Sequence, residues 1–288
     1  MFHFTSKFFQ HIRSQNKKLF SMNLINFVIM LLLLTVSTLP IALVFNLWAM
    51  ALFTGQGDTK TLILVSLGAV LLIILIFLML IFPLFTGSIR SVYYAVSGHS
   101  SVQWSHLFQS FKGKIWRKNL LVGLIASVFM LVLAIVNFYL TAGLNKIFKD
   151  LVTSDFSYML VLFVIACITS IFTLFVIVFI VNMVAAFVKN PEAKVRDDVK
   201  AAWQGIRNGQ KTFLLFFIGI WLINIILMLL SGPAAAAIQL NTAHMSQNAA
   251  KYVVYAFNVV LFIARYVIYF VIFGSIITYF HHQGRKNA

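Results

Sequence analysis

The chain has 288 residues, 61% of them apolar and 10% charged, with a mean hydropathy of +0.97 and a formal net charge of +16 at pH 7. These values lie outside the range of soluble domains, so they exclude a water-soluble enzyme or binding module and set the class as an integral membrane protein. The basic residues are spread over short segments beside apolar runs with no recognition motif, which also excludes nucleic-acid binding.

A spanning helix needs about 20 mostly apolar residues, and six runs meet that length: 24–53, 62–84, 120–139, 160–187, 213–230 and 252–280. They are continuous rather than alternating, so they predict helices and not strands. Ahead of the first run, Phe4, Phe8 and Ile12 recur at i, i+4 and i+8 with Phe9 beside them, while Lys7, Arg13, Lys17 and Lys18 fall elsewhere on the wheel. That pattern predicts a helix lying in the headgroup plane. The first run is too long for a signal-peptide core of 7–15 residues and is expected to be retained. Pro40 predicts a kink within it, Thr54-Gly55-Gln56-Gly57-Asp58 a tight turn after it, and Pro83 a bend near the end of the second run.

In the long connection that follows, Ser100 or Ser101 can cap a helix whose apolar stripe is Trp104, Leu107, Phe108, Phe111 and Ile115. The stripe fits an interfacial helix leading into the third span through Trp116, Arg117 and Lys118, or a helix packed on the floor of the bundle. After the fourth span, Asn190 reads as an N-cap, Pro191 as the first helical residue and Glu192 as a favourable charge at the helix start. The predicted helix puts Val195, Val199, Ala202, Trp203 and Ile206 on one face and ends at Asn208-Gly209. Ser231-Gly232-Pro233 breaks the fifth span, with a short helix expected over 234–237.

Three short segments share one pattern of aromatic, Gln, small or polar, apolar, basic, small or polar. They are Phe9-Gln10-His11-Ile12-Arg13-Ser14, Phe108-Gln109-Ser110-Phe111-Lys112-Gly113 and Trp203-Gln204-Gly205-Ile206-Arg207-Asn208, spaced 99 and 95 residues apart. Each precedes a pair of spans. The pattern predicts an all-α integral membrane fold over 1–288 as a single domain: six transmembrane helices in three helical-hairpin repeats, units 1–98, 99–193 and 194–288. Each hairpin is preceded by an amphipathic interfacial helix on the cytoplasmic side. Phe8, Phe9 and Ile12, then Trp104, Phe108 and Phe111, then Trp203 and Ile206 are its membrane-surface residues.

Orientation follows from the retention of Lys and Arg in cytoplasmic loops. With the N-terminus inside, 17 basic residues fall in inside segments and only Lys60, Lys146, Lys149 and Lys251 in outside loops. Both termini are therefore expected in the cytoplasm, and anionic headgroups at that face are an expected partner at about 1 kcal/mol per nearby basic residue. Cys167 is the sole cysteine and lies in the fourth span, so no intrachain disulfide can form.

Intramembrane charge is the first place to seek function. Arg265 is the only charged residue within a predicted span, and Asn258, Tyr266 and Tyr269 lie near it in sequence. Together they could bind an anionic group such as a lipid phosphate; alternatively Arg265 snorkels to the outer boundary of an over-long helix. Amides in five of the six spans, Asn26 and Asn46, Asn137, Asn182, Asn224 and Asn258, could serve packing or a polar path. No acid falls in a span, and no metalloprotease, nucleophile-elbow or phosphate-loop motif is present, so no catalytic constellation, metal or cofactor is expected.

Phe85-Thr86-Gly87-Ser88-Ile89-Arg90-Ser91-Val92-Tyr93-Tyr94, with 104–111 and Asn119-Leu120-Leu121-Val122-Gly123, resembles the YesL-type membrane families of Gram-positive bacteria. The segment 199–215, an amphipathic helix with a central Trp running into a span, is similar to YciC-type and glycerophosphodiester-phosphodiesterase membrane domains. The matching segments cover a minor part of the chain. The resemblance implies a multi-span protein of the bacterial plasma membrane and carries over no catalytic residue. The function expected is a non-enzymatic one: binding, handling or sensing a lipid or other amphiphile, or assisting a partner envelope or transport system. A transporter or channel with a pathway between the repeats, and a scaffold for another membrane protein, are the alternatives.

Overall fold

In the computed structural model, residues 1–55, 58–98, 101–207, 210–242 and 245–282 are described, and among them there is no strand. The helices are α1 (His3–Ile12), α2 (Asn16–Thr54), α3 (Thr59–Ile76), α4 (Phe82–Ser97), α5 (Ser105–Phe108), α6 (Gly113–Phe148), α7 (Asp155–Lys189), α8 (Val195–Arg207), α9 (Gln210–Ser231), α10 (Pro233–Thr242) and α11 (Gln247–His281). Six helical stretches are long and apolar enough to cross a membrane: Asn16–Thr54, Thr59–Ser97, Gly113–Leu151, Phe156–Lys189, Lys211–Thr242 and Gln247–His281. All six expected runs are present, and each is extended by several residues.

Local chemistry sets the breaks. Gly55 closes α2 in the left-handed region at φ +65°, its N–H returning to the Ala51 carbonyl at 3.1 Å. The Asp58 carboxylate then accepts from the N–H groups of Lys60 and Thr61 at 3.2 and 3.3 Å and starts α3. Pro40 lies inside α2 without ending it. Pro83 has no N–H to give, and the turn before it, Phe77–Ile81, widens to π geometry with the Phe82 N–H reaching Phe77. That widened turn is the form taken by the expected bend. Ser154 and Ser157 form a reciprocal capping box at the start of α7, and Pro233 opens α10.

Burial is concentrated at one end of the long helices. It falls on Leu19, Met22, Asn23 and Asn26 of α2, on most of α4, on Asn119, Val122, Gly123 and Ala126 of α6, on the second half of α7 and on α11 from Tyr266 onward. At the other end, α3 has no buried residue at all, and Leu64, Leu67 and Leu71 are exposed. Exposed apolar surface on that scale needs lipid or another protein around it.

Three expectations are corrected here. The face of α1 formed by Phe4, Phe8 and Ile12 is buried within the protein, not laid against a bilayer. Phe4 packs edge-on against Tyr279 at 5.0 Å between ring centroids and Phe8 against Phe270 at 5.5 Å, and Thr5 shares a 2.9 Å hydrogen bond with Ser275. A Cβ at Gly274 would overlap the Phe8 ring, so that glycine admits the helix. Of the surface residues expected, Phe9, Trp104, Phe108 and Trp203 are exposed and Phe111 is half-buried, whereas Phe8, Ile12 and Ile206 belong to the core.

The continuous helix expected over 104–115 is instead the four-residue α5, a 3-10 turn at Gln109–Phe111 and a break at Lys112 and Gly113, with Gly113 at φ +48°. Ile115 belongs to α6. The chain is shaped here by a crossing: a Cβ at Gly87 would overlap the Leu107 backbone, so α5 lies directly on α4. Asn190, Pro191 and Glu192 do not start α8 either. The Asn190 N–H still bonds to Ala186 at 3.0 Å as the end of α7, its backbone is turned from the helical region ahead of proline, and α8 begins at Val195. His99, Ser100, Gln56, Gly57, Asn208, Gly209, Arg285 and Lys286 lie outside the described residues.

Because Phe8 is fully buried against Phe270 and Gly274, Phe8→Ala is expected to cost about 3–5 kcal/mol and to expose the N-terminal helix to protease. Phe9→Ala, on the exposed side of the same helix, is expected within about 0.5 kcal/mol of wild type. Thermal unfolding and limited proteolysis in detergent measure both.

Candidate functional site

A narrow crevice of about 50 Å³ lies where α2, α4 and α11 meet. α2 supplies Asn23, Phe27 and Met30, α4 supplies Phe85, Ser88 and Val92, and α11 supplies Tyr266, Tyr269 and Phe273. Three of its four polar side chains, Asn23, Ser88 and Tyr266, are already engaged. The Asn23 amide donates to the Leu19 carbonyl at 2.9 Å and to Ser91 at 3.0 Å. Ser88 accepts from Asn26, which also donates to the Leu84 carbonyl, at 2.7 and 2.8 Å. The Tyr266 hydroxyl donates to the Phe20 carbonyl at 2.6 Å. What the crevice presents is therefore hydrocarbon and ring faces, which suits an apolar chain and not a polar solute.

Two of the four residues expected around Arg265 line this crevice, Tyr266 and Tyr269. The other two do not: Arg265 and Asn258 are exposed on α11. Tyr266 is buried toward α2, so adjacent residues in sequence serve opposite sides of the helix. Among the intramembrane amides, Asn26 joins α2 to α4 and Asn137 donates to Thr173 of α7 at 3.1 Å, which is the packing role. Asn119, just before the third expected span, accepts from Thr86 at 2.7 Å and ties α6 to α4.

A second, polar cavity of about 360 Å³ lies among α4, α7, α8 and α11. Lys189, Asp197 and Gln204 stand at its rim, and Tyr93, Gly205, Phe280 and His281 line it further in. At its back, Asp198 and Lys118 form an ion pair at 2.8 Å, with side chains 2% and 12% exposed. Lys118 also donates to the carbonyls of Asn190 and Pro191, both at 3.3 Å, and lies 4.9 Å from the centre of the Phe187 ring. One lysine thus ties α6 to the turn between α7 and α8. Asn182 is fully buried one turn from Ala186 of the lining, with its amide facing Gly205.

The residue that sequence reasoning misplaced is Arg90. Its position past the second apolar run read as a loop charge, yet α4 carries it inside the protein, where it is 1% exposed. The one available signal was the glycine at 87, which admits the covering segment, and a lone glycine does not announce that by itself. No known protein family, curated protein or solved structure matches the chain.

Burial pushes the Asp198 carboxyl above its usual range; the bond to Lys118 and its charge pull it down, and Asp197 pushes it up. The folded chain therefore holds this proton more tightly than the unfolded chain does. Stability from this group falls as pH rises from the ordinary carboxylate value, 3.8, through the raised one. Lys118→Met removes the pull downward and strands a buried carboxylate, at an expected cost of about 3 kcal/mol at neutral pH. The deficit is expected to shrink as pH is lowered and Asp198 takes up its proton. Melting curves of both proteins from pH 5 to 8 measure the difference.

Proposed function

We propose that the protein binds and handles a membrane amphiphile, whose apolar chain packs in the crevice between α2, α4 and α11. The single observation that carries this reading is that Asn23, Ser88 and Tyr266 are paired internally, leaving a mostly apolar lining between helices long enough to cross a bilayer. An aqueous solute would find little there beyond the Tyr269 hydroxyl to replace its hydration. This reading assumes the bacterial plasma membrane with both termini cytoplasmic, and the excess of basic residues in alternate connections supports that orientation. The exposed aromatics Phe9, Trp104, Phe108 and Trp203 belong to the short helices on that side and would rest among anionic headgroups. The order of a short element followed by two long ones in each third of the chain supports a threefold repeat.

The transport alternative has one observation in its favour, the polar cavity bounded by Asp197, Lys189 and His281. Native mass spectrometry of gently solubilised protein separates the two. Met30→Trp, which fills the crevice from α2, is expected to lower lipid retention about tenfold, the loss of roughly 1.4 kcal/mol of binding. Arg265→Ala, on the exposed face, is expected to leave it unchanged. Undiminished retention in Met30→Trp sinks the reading; loss confined to Arg265→Ala moves the site to that arginine.

A further inference from the structure

The guanidinium of Arg90 is the largest fully buried side chain in the core, 1% exposed. It donates from Nη1 to the Ser110 hydroxyl at 3.2 Å, and its Nη2 has no hydrogen-bond partner among the described residues. Arginine cannot shed its charge by losing a proton, so burial without a counter-ion leaves a cost of several kcal/mol standing. The chain has six acids, Asp58, Asp150, Asp155, Glu192, Asp197 and Asp198, and the one ion pair among the described residues joins Asp198 to Lys118. Among the described residues, no carboxylate meets the charge of Arg90.

The side chains around it are neutral or positive. Ser110 supplies a hydroxyl. His106 accepts from the Gln103 N–H through Nδ1 at 3.3 Å, which assigns the ring proton to Nε2. Tyr94 packs edge-on to His106 at 4.9 Å. Burial, then the charges of Arg90 and Lys18, hold the His106 imidazole below its usual range, so the field here is positive and the ring neutral. The segment 101–112 lies over Arg90 as a strap, pinned by the contact of Leu107 with Gly87 and by a 2.6 Å bond from the Val102 N–H to the Gln15 side chain.

We propose that Arg90 is the centre of a site for a phosphate-class oxyanion, held by Nη2 and the Ser110 hydroxyl beneath the 101–112 strap. The planar fork of arginine matches an oxyanion with two oxygens side by side. Arg90 lies six residues, about 9 Å, beyond Leu84, where the apolar run ends, so it sits at the depth of lipid headgroup phosphates. The same chemistry is offered by a lipid phosphate and by free phosphate. The site rests on Arg90 alone and does not depend on the crevice.

The test uses full-length protein exchanged exhaustively into phosphate-free detergent buffer, in two measurements: phosphorus content per chain, and melting temperature with added inorganic phosphate or dihexanoyl phosphatidic acid against a chloride control. Wild type is expected either to retain stoichiometric phosphorus or, once stripped, to gain about 5–10 °C at a hundredfold excess over Kd. A response to inorganic phosphate assigns a free anion, and a response to the phosphatidic acid alone assigns a headgroup. Arg90→Met abolishes both, and Ser110→Ala, which keeps the charge and removes one contact, weakens them while remaining folded. The proposal is overturned if wild type shows neither phosphorus nor a shift, or if the signal persists undiminished in Ser110→Ala. It is equally overturned if Arg90→Met melts higher than wild type with no loss of signal, as replacement of a merely stranded charge would give.

Discussion

A helix of 39 residues is about 58 Å long, nearly twice the ~30 Å hydrocarbon core of a bilayer, and that surplus length governs how the six long helices are used. A segment that only crosses the membrane gains nothing from hydrophobic burial against its neighbours, because lipid tails are as apolar as leucine. The surplus is where side chains of every kind can be removed from water. α4, the second half of α7 and the end of α11 do this, and the core is assembled on them with α1 and α8 closing it. The far halves carry apolar side chains outward and contribute the crossing rather than the packing.

Polar groups at the packed end are treated in three ways, and the differences are physical. Around the crevice, Asn23, Asn26, Ser88 and Tyr266 satisfy one another or nearby carbonyls, so polarity there fixes helix positions and leaves an apolar surface. At the back of the polar cavity, Lys118 and Asp198 neutralise each other, and the lysine stitches three elements by its remaining donors. At Arg90 the charge is enclosed and has no counter-ion among the described residues. Mutual hydrogen bonding, neutralisation and isolation are visible within one core, and Arg90 is its buried charge with no counter-ion among the described residues.

The crossing segments were legible because apolar length is a one-dimensional property, written in 24–53, 62–84 and the later runs without reference to any partner. The Pro83 bend was equally local, since a missing N–H disturbs its own helix. The face of α1 was read correctly as apolar but assigned to the wrong surroundings, for Phe4, Phe8 and Ile12 look the same whether lipid or Tyr279 and Phe270 lies opposite. The break at Gly113 and the burial of Arg90 were hidden for a related reason: both follow from α5 crossing α4 at Gly87, a contact between residues 20 positions apart. Tyr266 and Tyr269 were found, though as neighbours of Arg265; a helix turns about 100° per residue, so adjacent positions report on different sides.

The docking of α1 on α11 also orders events in time. Thr5 and Ser275 are 270 positions apart, so α11 is made long after α1. At 5–20 residues per second, roughly 15–50 s of synthesis separate them. Throughout that interval the side of α1 that meets Phe270 and Ser275 lacks its partner, and a membrane surface is the place where such a face can wait. The helix α1 is then a clasp: the bundle can be inserted hairpin by hairpin, and α1 and α11 close over one another only once α11 has been made.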